Sequence, residues 1–131
     1  MIKQLNSKEY NFYFLMGKFF ADRGIIRLMD CQLYSNDNMQ WYVYFDKEGN
    51  IRGFASVEPI NGYLQIDNFY VVDGFRGKGI GSMIIDEIMQ KTKGRYKLIT
   101  RNDVAYKMFS KRGFVEVGNK GRYKKMECVK E

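Results

Sequence analysis

One stretch limits most strongly what this chain can become. Residues Tyr63 to Lys93 read YLQIDNFYVVDGFRGKGIGSMIIDEIMQKTK. The first part, Tyr63 to Val72, is aromatic and β-branched with polar breaks, the chemistry of a strand. From Gly79 on, Ile80, Ile84 and Ile88 recur every fourth residue with Asp86, Glu87, Gln90 and Lys91 between them. That period predicts a helix with a broad apolar face. Between the two lies Arg76-Gly77-Lys78-Gly79-Ile80-Gly81. A strand that turns through glycines into a helix start aims several free backbone N–H groups at one point. With the helix dipole, those donors form an anion site suited to phosphate.

The glycines have separate tasks. Gly77 and Gly79 let the backbone turn and approach a ligand without a Cβ in the way. Gly81 lets the first helical turn sit close to the strand or the ligand. Arg76 and Lys78 add positive charge there. The spacing is neither that of a P-loop nor that of a dinucleotide fingerprint. The R-x-x-G-x-G pattern, placed between a strand and a long helix, resembles the signature of the GNAT superfamily of N-acetyltransferases. In that family Gln/Arg-x-x-Gly-x-Gly/Ala holds the pyrophosphate of acetyl-CoA. Without the resemblance, the same residues read as a basic, flexible turn.

At 131 residues the chain is expected to be one domain, residues 1–131, with a real core. A hydrophobic content of 45% and 16% aromatics exclude a disordered chain. No apolar run is long enough to span a bilayer, and the start lacks a signal-peptide core, so the expectation is a cytoplasmic protein. Cys31 and Cys128 form no CxxC and are expected as free thiols. There is no histidine. That removes a His base, Ser-His or Cys-His pairs and the usual His-bearing metal sites, so no metal is expected. Residues 1–65 sum to zero charge, and residues 66–131 carry all of the +7. The basic half is the one with the Gly-rich turn. It suits an anionic ligand, a nucleic-acid surface or simply a solvated basic face.

In chain order, Ile2 to Leu5 is a short strand. Asn6 caps a helix to about Phe20, Glu9 reaching back, with Tyr10, Phe14 and Phe19 buried. Ile25 to Tyr34 is a second short helix and 35–38 a loop. The aromatics of this region either pack in the core or line an acceptor pocket. Trp41 to Phe45 and Ile51 to Val57 are strands around the turn 46–50, and Glu58 to Gly62 turns into the Tyr63 strand. After the long helix, Tyr96 to Thr100 is a strand. Asn102 or Asp103 caps a helix with Ala105, Met108 and Phe109 on one face. Phe114 to Val117 and Tyr123 to Met126 flank a turn at 118–121. The order β-α-α-β-β-β-α-β-α-β-β resembles the GNAT fold, an α/β (α+β) architecture. It implies a mixed central sheet of about six to seven strands flanked by about four helices.

A second segment strengthens the resemblance. Asn102 to Phe114, NDVAYKMFSKRGF, is similar to the superfamily's N-x-x-A…Tyr-x-K-x-Gly-Phe, with Asn102, Ala105, Lys111, Gly113 and Phe114 in place. The resemblance implies acetyl-CoA contacts at Phe69, Tyr70, Val71 and Val72 on the strand. It implies others at Arg76, Gly77, Lys78, Gly79, Ile80, Gly81 and Ser82 on the turn, and at Asn102, Ala105, Phe109 and Lys111 beyond. In the family a strand bulge frees a backbone N–H for the thioester oxygen, and by position that falls near Tyr70 to Val72.

Acetyl transfer needs an acceptor amine to lose a proton. Asp67, nine residues before Arg76, is the candidate base. Polyamine-acetylating members carry a Glu-Asp pair where this chain has Asp67-Asn68. Glu58, in the preceding turn, is the fallback. Asp67 could equally hydrogen-bond within a strand face. The family's usual Tyr acid falls at Phe109, which has no proton to give, and Tyr106 one turn earlier is the substitute. A leaving thiol of pKa ~8.5 departs as thiolate at pH 7 with a shortfall of only about 2 kcal/mol. No Cys lies in either motif, so no acyl-enzyme is suggested.

The expected activity is an acetyl-CoA-dependent N-acetyltransferase, a direct transfer to a primary amine of a small molecule or protein. The alternative is a catalytically weak GNAT-like domain that binds acyl-CoA and acts through a macromolecular partner. A basic nucleic-acid module is the third reading. The expected partners are acetyl-CoA and an amine acceptor, with no membrane; monomer and homodimer both fit.

Overall fold

The computed structural model describes residues 1–29 and 32–130. Cys31, expected as a free thiol, lies outside the described residues. The elements are β1 (Ile2–Leu5), α1 (Phe12–Phe20), α2 (Arg23–Met29), β2 (Gln40–Phe45), β3 (Ile51–Ile60) and β4 (Tyr63–Val71). They continue as α3 (Ile80–Lys91), β5 (Gly94–Thr100), α4 (Asp103–Ser110), β6 (Val115–Lys120) and β7 (Tyr123–Lys130). The strands form one seven-stranded sheet in the order β1-β2-β3-β4-β5-β7-β6. Every neighbouring pair is antiparallel except β4 and β5. A parallel pair needs a crossover, and α3 provides it.

Alternation along the strands splits the core in two. Trp41, Val43, Phe45 and Phe54 point to the α1 and α2 side, where Phe12, Met16, Phe19 and Ile25 cover them. Tyr42, Ala55, Val57, Ile66, Tyr96 and Leu98 point to the other side, against Ile80, Ile84, Ile85 and Ile88 of α3 and Phe109 of α4. Each buried isoleucine of α3 contributes roughly 1.5–3 kcal/mol. The period that marked this helix in the sequence is therefore the face that anchors it to the sheet.

Several boundaries differ from the sequence expectation. Glu9 does reach back, its Oε1 accepting from the Asn6 N–H at 3.2 Å, but Asn6 Nδ2 also donates to the Met39 carbonyl at 2.9 Å. The turn is thus tied to the loop before β2, and the helix begins only at Phe12. That fixes its phase on Phe12, Met16 and Phe19; Tyr10 and Phe14, expected inside, are 100% and 89% exposed. β3 runs on through Glu58 and Pro59 to Ile60. Proline is tolerated there because β2 ends opposite Val57, leaving β3 an edge on that side. Asn61 and Gly62, both at positive φ, make the tight turn instead. β6 likewise continues through Gly118, where its register with β7 shifts.

Candidate active site

β4 and β5 pair only at Leu64–Tyr96 and Gln65–Lys97, then part. Next to the gap, β4 bulges. Ser56 lies opposite Asp67 and Phe54 opposite Tyr70, so Asn68 and Phe69 together face Ala55. Asn68 takes φ 55°, a left-handed conformation that asparagine tolerates better than most residues. Its buried amide donates to Ser56 Oγ at 2.8 Å and to the Tyr34 carbonyl at 3.1 Å, and its Oδ1 accepts from the Tyr34 N–H at 3.3 Å. The bulge therefore pins the loop that carries Tyr34 over the sheet. It lies at Asn68–Phe69, not at Tyr70–Val72 as expected.

A cleft of about 1180 Å³ opens where the strands part. β4 lines it from Ile66 to Val71, β5 from Leu98 to Thr100, and the turn and first residues of α3 close one end. Here the Gly-rich segment has the expected geometry. Gly77 and Gly79 take φ 78° and 84°, and the space where a Cβ would project is open at both. Among the described residues, no protein group accepts from the amides of residues 77 to 82. The first turn of α3 has no acidic residue and no side-chain cap, so nothing among the described residues competes for those donors. Gly81 packs tightly: a Cβ there would lie 2.9 Å from Cζ of Phe69.

The walls are basic. Arg76, Arg101, Lys107, Lys111, Arg112 and Arg122 line the cleft, and Asp67 is the one acidic lining residue among those described. Arg76 is held by its Nε donating to the Val71 carbonyl at 3.0 Å and by the Tyr70 ring, 5.4 Å from the guanidinium. Arg112 is paired with Asp86 at 2.7 Å. Arg101, Lys107, Arg112 and Arg122 were not singled out in the sequence; the charge excess of residues 66–131 was their only signal.

Asp67 lies at the base of the gap. Its Oδ2 accepts from the Tyr34 hydroxyl at 2.8 Å and from Gln65 Nε2 at 2.6 Å. Burial, then the Asp67 hydrogen bond and charge, then the charge of Glu58, push the Tyr34 hydroxyl well above its ordinary pKa. Tyr34 thus stays a proton donor to Asp67 across the neutral range.

The cleft also takes in Phe69, Tyr70, Val71, Arg76, Gly77, Gly79, Ile80, Gly81, Ser82, Asn102, Ala105, Phe109 and Lys111. Asn102 caps α4, accepting from the amides of Val104 and Ala105. Phe109 is 2% exposed, its ring packed edge-on against Phe69 and Phe114. Four residues fall elsewhere. Val72 packs with the α1 side and donates its N–H to the Arg52 carbonyl at 2.9 Å, so that donor is taken by β3. Lys78 does not line the cleft directly; its ammonium stands 5.4 Å from the ring of Phe75, which does. Glu58 sits on β3 rather than in a turn, buried, and accepts from Asn36 Nδ2 at 2.8 Å. Tyr106 points away from the cleft: its hydroxyl donates to Glu116 at 3.1 Å, and that bond, with partial burial, raises its pKa. The acid role expected of Tyr106 does not fit that position.

Among the described residues, no group of three or more His, Cys, Asp or Glu could hold a metal ion. No helix among them is long and apolar enough to cross a membrane.

Comparison with known proteins gives one family match: residues 2–114 fit the acetyltransferase (GNAT) family. No curated protein matches by sequence. Similar solved structures include an acyl-CoA N-acyltransferase from Pseudomonas aeruginosa, 12% identical, TM-score 0.77, covering 98% of this chain and 99% of that one. Escherichia coli ElaA is 10% identical, TM-score 0.77, with 98% and 99% covered. A protein described as a streptothricin acetyltransferase from Bacillus anthracis, solved in complex with acetyl coenzyme A, is 21% identical, TM-score 0.62, with 79% and 72% covered. At these identities the likeness is one of fold.

Proposed function

The chain belongs to the acetyltransferase (GNAT) family, and from that premise we propose that it transfers an acetyl group from acetyl-CoA directly to a primary amine of a small molecule or protein. One observation carries the reading: a single cleft joins a run of unbonded amides at a helix start to a lone carboxylate, across the gap where β4 and β5 part.

The residues present fit acetyl-CoA. Open space at Gly77 and Gly79 leaves room for a pyrophosphate against the amides of residues 77 to 82. Arg76 and the lysine and arginine side chains of the walls balance the remaining phosphate charge. The unpaired edge of β4 beyond Gln65 is available to a pantetheine arm lying along it as an added strand. Bound there, acetyl-CoA supplies the acetyl group as a thioester; the amide C–N bond forms as the C–S bond breaks.

The chain's own groups divide the remaining work. Asp67 takes the proton from the acceptor amine, directly or through a water. Tyr34 and Gln65 hold its carboxylate in place. In this reading a backbone N–H at the Asn68–Phe69 bulge donates to the thioester oxygen, supported by the register shift of β4 there. Solvent returns a proton to the leaving thiolate, since Phe109 has none and Tyr106 is bonded to Glu116. That same pair of facts favours a second reading, a weak enzyme that chiefly binds acyl-CoA. Release of CoA thiol from acetyl-CoA, measured across a panel of amines, separates the two. Turnover with any amine above the background hydrolysis supports transfer; binding without turnover supports the second.

A further inference from the structure

A second, smaller cavity of about 200 Å³ lies on the α1 and α2 side of the sheet, and it shares Asp67, Leu98 and Ile99 with the main cleft. The two spaces therefore meet where β4 and β5 part. The far walls of the smaller cavity come from strands distant in sequence: Gln65 of β4, Lys97 of β5, Lys125 and Glu127 of β7.

Its charges are balanced yet unpaired with one another. Lys97 and Glu127 are direct partners across the β5–β7 ladder, and both are half-buried. Opposite charges in that relation ordinarily close on each other. Among the described residues they form no ion pair, and neither does Lys125. The Lys97 ammonium instead stands 5.1 Å from the Tyr63 ring. Two acidic residues, Asp67 and Glu127, thus line one small space together with two lysines. A polyamine placed here meets two lysines, and a simple anion meets two acids. A molecule that carries both charges finds a partner for each.

We infer that the acceptor is a small amine bearing a carboxylate a few bonds away, an amino acid or a close relative. It enters from the face of the sheet opposite α3. Its amine lies at Asp67, beside the main cleft, and its carboxylate lies against Lys97 and Lys125. The inference rests on the proposed acetyl transfer with Asp67 facing the amine. A space this size admits one such molecule.

The test compares each of several amino acids with its decarboxylated amine, together with spermidine, as acceptors for wild type, Lys97→Gln and Lys125→Gln. Binding of acetyl-CoA, read as a rise in melting temperature, reports that each variant is folded. Wild type is expected to have the higher kcat/KM for the amino acid of a pair. Either substitution is expected to lower the ratio of the two kcat/KM values about tenfold, the effect of losing one charge-assisted contact. A preference for spermidine or the decarboxylated amines, or a ratio that survives both substitutions, overturns the inference and leaves the transferase reading standing. If no amine is acetylated while acetyl-CoA still raises the melting temperature, the transferase reading fails and takes this inference with it.

Discussion

Asp67→Asn isolates the charge at the base of the cleft. Both hydrogen bonds to this side chain, from Tyr34 at 2.8 Å and Gln65 at 2.6 Å, end on one oxygen, Oδ2. An asparagine with its oxygen there keeps both, so the loop over the site stays pinned. The cost is the difference between charged and neutral acceptors, about 1 kcal/mol per bond. The chemical effect is much larger. A base that takes the amine proton in the transition state is worth ~10²–10⁴ in turnover. An amine of pKa ~10.4 is unprotonated in only about one molecule in 2,500 at pH 7, and each pH unit upward raises that share roughly tenfold. The deficit of the variant is therefore expected to narrow steadily between pH 7 and pH 9. Initial rates of CoA release at saturating acetyl-CoA, measured across that range, give the comparison. Wild-type turnover at pH 7 in the variant refutes Asp67 as the base. A deficit that stays constant with pH points to lost positioning, not lost proton transfer.

Three further outcomes test the surroundings of the site. Gly81→Ala places a Cβ 2.9 Å from the Phe69 ring. The overpacking costs about 1–3 kcal/mol, partly offset by about 1 kcal/mol of helix propensity, and the displaced ring should weaken acetyl-CoA binding; unchanged affinity counts against tight α3–β4 packing. Phe109→Tyr should keep its stability and raise turnover by up to about tenfold per 1.4 kcal/mol recovered if the ring tip reaches the cleft. A loss of roughly 1–3 kcal/mol in urea unfolding instead marks a hydroxyl stranded in the core. The Asn50 amide, then Arg52, hold the Asp46 carboxyl below its usual pKa. Its stabilisation is present above the ordinary carboxylate value, near ~3.9, and is lost as pH falls through the lower folded value. Urea midpoints of wild type and Asp46→Asn should accordingly differ at pH 7 and converge once the pH has fallen below the lowered folded value.

The parts legible in the sequence were those fixed by local chemistry. The four-residue isoleucine period placed α3 on the sheet, and positive φ at Gly77 and Gly79 realised the turn that those glycines allow. Asn102 caps α4 as its position implied. What escaped was decided by distant partners. Asn6 binds the Met39 carbonyl, so a good capping signal did not start a helix. Pro59 stays in β3 because β2 has already ended. Tyr106 shares the second motif with Asn102 and Ala105, but its hydroxyl is captured by Glu116 of β6. The smaller cavity joins residues of β4, β5 and β7, which no spacing along the chain brings together.

Acetyl transfer by this chain requires above all that the turn at residues 76–81 hold acetyl-CoA. Calorimetric titration of acetyl-CoA into wild type and Gly79→Glu tests that most directly. Gly79 opens α3 with free space at its Cβ position, so the substitution puts a carboxylate among the unbonded amides. Wild type should bind, and ligand at a hundred times Kd should add about 2.7 kcal/mol of stability, roughly 10 °C in melting temperature. The variant, folded by circular dichroism, should lose both the heat of binding and the shift. Equal affinity in the two proteins contradicts the account, because the ligand would then bind away from the start of α3.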